Sequence, residues 1–223
     1  VVSGCSVAAQ AAQPSVVAVD GTLCDITRTV VGAAAKVICL IPPGGDPHGY
    51  RLKPSDRQAI ATSAAVVHIG FGLTPAANEI TSPGSVVAVG EQALPNYKGN
   101  DPHVWHDPAN AAAMVSALTS ALVPVLPASE TEALEGRATA AIAVFNDLGR
   151  WGAIQFDTLS QPQRVIVTDH KTYSHLADRY GVDEVAMLDS YTTGGVLRPS
   201  SLRRISKEIQ ASGAKVIFTP SIP

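Results

Sequence analysis

Residues 15–48 read SVVAVDGTLCDITRTVVGAAAKVICLIPPGGDPH, and the order of textures in that stretch points to the fold. SVVAVD (15–20) is short and almost wholly apolar, as a strand buried on both faces is. TLCDITRTVVGAAA (22–35) follows, with Leu23, Ile26, Val30 and Val31 at helical spacing. KVICLIP (36–42) is a second apolar strand, which the chain leaves through a Pro/Gly loop ending in His48. Strand, helix, strand and a loop carrying a reactive side chain make the repeating unit of a parallel α/β sheet.

Outward from there the alternation continues. PSDRQAIATSA (54–64) predicts a helix opened by Pro54, and AVVHIGF (65–71) and SVVAVGE (85–91) predict further strands. From Asp107 the chain turns Ala-rich and helical up to Pro124. After Pro127, SETEALEGRATAAIAVFNDLGRWGAIQFDTLS runs with few breakers for about 30 residues, a rod of roughly 45 Å at helical rise. Ser129, with Glu130, Glu132 and Glu135 close behind, suits its N-terminus. RVIVTD (164–169), DEVAMLD (183–189) and KVIFTP (215–220) then read as strands, with helices over 171–181 and 199–214 between them.

The expected architecture is α/β: two lobes with mainly parallel sheets, joined by a long rigid helix, with a cleft between them. The boundaries predicted are a tether over 1–14, a first lobe over 15–125, a connecting helix over 126–160 and a second lobe over 161–223. The last strand has no helix after it, so the second lobe is expected to be incomplete in this sequence. With 46% hydrophobic and 16% charged residues among 223, the chain has enough apolar material for a sizeable core. A net charge of −3, with no basic patch interleaved with aromatics, argues against nucleic acid as a partner. The apolar run Val30–Pro43 is broken by Gly32 and Lys36 and is too short to span a bilayer.

The first residues, VVSGCS, place small residues before Cys5 and look like the end of a bacterial lipoprotein signal, in which such a cysteine takes the lipid. The Ala/Gln/Ser-rich SVAAQAAQPS behind it suits a tether; the alternative is an unmodified cysteine in a ragged terminus. Lipidation at Cys5 implies a membrane anchor and a periplasmic or cell-surface location. In that oxidising setting Cys24 and Cys39 could form a disulfide, the alternative being two reduced core cysteines.

Gly-x-Asp-Pro-His occurs twice, in GGDPHGY (44–50) and GNDPHVW (99–105). In parallel sheets ligands bind beyond the carboxyl ends of strands, and His48, His103 and His170 each follow a predicted strand there. Imidazole suits Zn²⁺ and other late first-row ions. Pro47 and Pro102 stiffen the two loops, and Asp46 and Asp101 could accept from an imidazole N–H and set its tautomer. These three histidines are the expected metal ligands. His68 lies within a strand, His106 could point away or cap the helix after it, and His175 is off the ligand face of its helix.

These motifs together resemble the TroA-like zinc and manganese solute-binding lipoproteins of bacterial ABC importers. LIPPGGDPHGYRLKPSDRQAIATSAAVVHIGFGL, DPHVWHDPANAAAM and VTDHKTYSHLADRYGV resemble that family's first three ligand segments, and RPSSLRRISKEIQASGAKVIFT resembles the segment before its fourth. The resemblance implies His48, His103 and His170 as ligands, a fourth ligand (usually Asp) beyond Pro223, and delivery of the ion to a membrane permease. The loop QALPNYKGN lacks the His- and Asp-rich insertion of many zinc members, while His170 stands where many manganese binders carry a carboxylate. A nitrogen-rich set favours Zn²⁺, with Mn²⁺ next. The rivals are a zinc-dependent hydrolase with Asp169 as base, against which no His-Glu-x-x-His motif appears, and a surface adhesin lipoprotein.

Overall fold

The computed structural model describes residues 13–188, 190–193, 199–214 and 217–218. Cys5 and most of the expected tether lie outside these residues, and the strand expected over 215–220 is described only at Ile217–Phe218.

The first sheet holds β1 (Ser15–Ala18), β2 (Lys36–Cys39), β3 (Ala65–His68) and β4 (Ser85–Ala88), all parallel, in the order β2-β1-β3-β4. Successive strand residues point to opposite faces. Val16 and Ala18 therefore enter one core with Leu23, Val30, Met114 and Leu118, while Val17 and Val19 enter another with Leu40, Ile60 and Val66. Both faces of the central strands β1 and β3 are covered, which is why these two read as continuous apolar runs.

Three helices cover the larger core: α1 (Gly21–Val31), α4 (Pro108–Leu122) and α5 (Thr131–Asp157). Asp20 caps α1, its Oδ1 accepting from the Leu23 N–H at 2.9 Å and its Oδ2 from the Ile69 N–H at 3.2 Å. Burial raises the Asp20 pKa to about 6, against the pull of these backbone hydrogen bonds. α1 ends at Gly32, whose φ of 55° favours glycine. There Arg137 of α5 donates Nε to the Val30 carbonyl and Nη2 to the Val31 carbonyl, both at 2.8 Å, satisfying the free C-terminal carbonyls. A disulfide joins Cys24 of α1 to Cys39 of β2, with Cα atoms 5.6 Å apart. α4, with the turn after it, is long and apolar enough to cross a membrane, yet Met114, Val115, Leu118 and Leu122 are wholly buried in the core.

α5 has 27 residues and so extends about 40 Å. Its first half buries Leu134 and Ala138 in the first lobe. Its second half carries Gly149 and Gly152, against which Tyr180 of the second lobe lies. The Tyr180 hydroxyl donates to the Gly149 carbonyl at 3.3 Å, and a Cβ on Gly152 would stand 2.7 Å from that hydroxyl. The expected connecting rod is thus matched to each lobe by different residues.

The second sheet holds β5 (Val165–His170), β6 (Asp183–Leu188) and β7 (Ile217–Phe218), parallel in the order β6-β5-β7, with α6 (Ser174–Tyr180) and α7 (Pro199–Ser212) between strands. α2 (Pro54–Thr62) begins at Pro54 as expected.

Several elements end short of the sequence reading, α1 at Val31 and β3 at His68 among them, and two boundaries differ for a visible reason. β4 stops at Ala88 and α3 (Val89–Ala93) begins where a strand was expected to run on to Glu91. The Gly90 N–H bonds the Ile69 carbonyl at 2.9 Å and Glu91 accepts from the Phe71 N–H at 2.6 Å, which bends the chain out of the ladder. α6 begins at Ser174 rather than 171, because the Thr172 and Tyr173 N–H groups are held outside a helix by Glu184 Oε1, at 3.0 and 3.1 Å.

Candidate metal centre

The three histidines arrive from both lobes. His48 comes from the loop after β2, His103 from the segment before α4, and His170 is the last residue of β5, paired with Leu188. One potential ligand atom from each lies within 4.8 Å of the others, and the rings stand nearly edge to face with centroids 5.1 to 5.3 Å apart. His103 and His170 are buried and His48 is half-buried. A cavity of about 470 Å³, lined by His48, Arg51, Arg57 and Glu79 among others, opens on the His48 side.

Asp101, 1% exposed, holds His103 twice: its Oδ1 accepts the backbone N–H at 2.9 Å and pairs with Nδ1 at 2.7 Å. Burial opposes ionisation of Asp101, but these hydrogen bonds and one with Ser174 hold its pKa below the usual carboxylate value. With its proton on Nδ1, His103 presents Nε2 to the cleft, 3.2 Å from Nε2 of His48. Two such nitrogens need a proton or a cation between them.

Asp46 behaves differently. Its Oδ1 accepts the His48 backbone N–H at 2.9 Å, but its Oδ2 accepts the Thr193 hydroxyl of the second lobe rather than an imidazole N–H. The role expected for Asp46 on the ring is not what the geometry gives. Among the described residues no side chain bonds the buried Nδ1 of His48; the Leu73 backbone adds a hydrogen-bonding interaction to that ring. The difference follows from placement: Asp46 is exposed, whereas Asp101 is enclosed beneath His103. Burial, then repulsion from His103, lowers the His48 pKa to about 4, although Asp46 pulls the other way.

His170 has Asp169 Oδ2 3.0 Å from its Nδ1 and the Thr172 hydroxyl 2.9 Å from its Nε2. Glu184 Oε1 fixes the turn carrying Thr172, accepting from the Thr168 hydroxyl at 2.9 Å besides the two N–H groups. Glu184, Thr172 and Thr193 carry no motif that sequence reading could have used.

The remaining histidines stand outside the triad. His106 packs on Tyr173 with ring centroids 4.3 Å apart, and burial, then His103, lowers its pKa to about 4. It does not cap α4; Asp107 does, accepting from the Ala109 N–H at 2.8 Å. His175 bridges the lobes, its Nε2 3.2 Å from the Asp101 carbonyl. Half-buried His68 stays in β3, its pKa lowered by burial.

Known proteins are similar to this chain to different extents. The manganese-binding lipoprotein MntA of Halalkalibacterium halodurans is 29% identical over 83% of this chain and 64% of its own length. The iron-binding protein YfeA of Yersinia pestis is 26% identical over 88% of this chain and 66% of its own. The chain therefore spans about two thirds of the length of these relatives. The solved periplasmic zinc-binding protein TroA of Treponema pallidum superposes with a TM-score of 0.87 at 22% identity, over 95% of this chain and 79% of that one, which shows the fold. The family profile described as ZnuA, zinc-uptake complex component A, periplasmic, matches residues 16–222, and the chain belongs to that family of solute-binding proteins.

Proposed function

We propose that the protein is an extracytoplasmic receptor that captures a divalent transition metal in the cleft between its lobes and passes it to the membrane permease of an ABC importer. The observation that carries this reading is the approach of His48, His103 and His170, from two separate sheets, to within 4.8 Å of one another. The ion is cargo, so the site has to form and also to open.

Each part of the site has a task in capture. Asp101 keeps the His103 proton on Nδ1 and leaves Nε2 free to donate its lone pair. His48, with its pKa lowered to about 4, is neutral at physiological pH and need not lose a proton before binding. His170 brings the second lobe to the ion, so binding draws the lobes together. The permease as partner rests on family membership.

Zn²⁺ is the favoured cargo and Mn²⁺ the next. The three candidate ligands are all imidazoles, and affinity at nitrogen sites rises from Mn²⁺ through Fe²⁺ to the later ions. The relatives named for manganese and iron make competition the deciding experiment: Zn²⁺ is expected to displace Mn²⁺ and Fe²⁺ at equimolar concentration. Preferential retention of Mn²⁺ or Fe²⁺ would reverse the assignment. Lipidation of Cys5 would anchor the receptor at the membrane, and MntA, named a lipoprotein, supports that reading. Mass spectrometry of the N-terminal peptide from membranes tests it.

A further inference from the structure

The two Asp-Pro-His loops use their aspartates differently, and the difference bears on how the cargo leaves. Asp101 holds the His103 ring, with Ser174 of the second lobe as a further partner. Asp46 leaves the His48 ring alone and joins the lobes, with Oδ1 on the His48 backbone and Oδ2 on the Thr193 hydroxyl. Thr193 lies in the loop after β6, and that loop is tied to the residue following His170, since the Lys171 N–H donates to the Ser190 carbonyl at 2.8 Å. One carboxylate therefore connects the backbone of His48 to a loop anchored beside His170. Further interlobe bonds run from α6 on the other side of the site: His175 to the Asp101 carbonyl and Arg179 to Asp107, at 3.2 and 3.0 Å.

We propose that the Asp46–Thr193 hydrogen bond is a clasp across the cleft that sets the rate of metal release. Thr193 is a positioning residue: it acts through Asp46 on His48 and touches no ion. The inference rests on His48 being a metal ligand. For the lobes to part on the His48 side, this bond must break. Its loss therefore appears in dissociation and leaves association nearly unchanged.

The test is release of Zn²⁺ from the loaded protein into excess chelator by stopped flow, with association measured separately. Thr193→Val keeps the side chain's shape and removes the donor; Thr193→Ser keeps the donor. The bond is charge-assisted but exposed, so T193V is expected to release Zn²⁺ about three- to tenfold faster, with association within about twofold of wild type. T193S is expected to restore the wild-type rate. A wild-type release rate in T193V, or equally fast release from T193S, overturns the clasp. His48→Ala separates this from the underlying reading: full affinity in H48A refutes the ligand assignment, while lost affinity in H48A beside unchanged release in T193V refutes the clasp alone.

Discussion

Nε2 of His48 stands 3.2 Å from Nε2 of His103, though 55 positions separate them in the chain. Two nitrogens on one tetrahedral zinc, each at about 2.0–2.1 Å, lie roughly 3.3 Å apart. The pair is at ligand spacing, and Asp101 holds one of its rings from behind.

Replacing His103 by Ala is expected to weaken Zn²⁺ binding by about a hundredfold or more, since an open ligand position replaces a coordinate bond. His106→Ala, three residues on but packed against Tyr173, is expected to stay within about threefold of wild type. Calorimetric titration of the two variants side by side checks this, and equal losses would refute the ligand assignment.

Asp101→Asn is expected to cost about 10- to 100-fold in affinity, the usual effect of removing a carboxylate that orients a ligating histidine. The same change at Asp46 leaves the ring contacts of His48 untouched and is expected to cost less. If the two Asn variants lost affinity equally, the contrast between the loops would be wrong.

Acid should act on stability and on binding in a defined window. The pKa values of His48 and His106, about 4 in the fold against 6.5 unperturbed, are depressed by burial first. The unfolded chain takes up these protons first, so the stability they allow is complete above pH 6.5 and is lost as pH falls towards 4. Asp20, raised to about 6, works in the opposite direction: its contribution is lost as pH rises through 6. For binding, proton competition at His48 begins only near pH 4. An NMR titration of the metal-free protein should therefore find the His48 ring still neutral at pH 5, and a midpoint near 6.5 would contradict this.

Reducing the Cys24–Cys39 bond, or replacing both residues by Ala, is expected to cost about 3 kcal/mol, given a closed loop of 15 residues. Thermal unfolding with and without reductant measures it. The metal titration should be little changed wherever the protein remains folded, because the bond ties α1 to β2 and touches no histidine of the triad.

Much of the fold was legible because its physics is local. β1 and β3 are covered on both faces, so SVVA and AVVH announce themselves as apolar runs, and α5 has no proline over its length. The end of β4 was not legible, since Gly90 and Glu91 are turned by bonds to Ile69 and Phe71, about twenty residues away. The start of α6 was hidden for the same reason, being set by Glu184 on the next strand. At the site, the positions beyond strand ends singled out His48, His103 and His170. The two aspartates of the repeated motif looked equivalent, and only burial and the neighbouring lobe distinguish Asp101 from Asp46.

The central claim is that one ion is held by imidazoles from both lobes. X-ray absorption at the zinc edge of the Zn²⁺-loaded protein tests it most directly, through first-shell distances and the outer-shell scattering characteristic of imidazole. Three imidazole nitrogens at about 2.0–2.1 Å are expected, falling to two in His170→Ala. A shell of sulfur or of oxygen alone, or an imidazole count unchanged in His170→Ala, would contradict it.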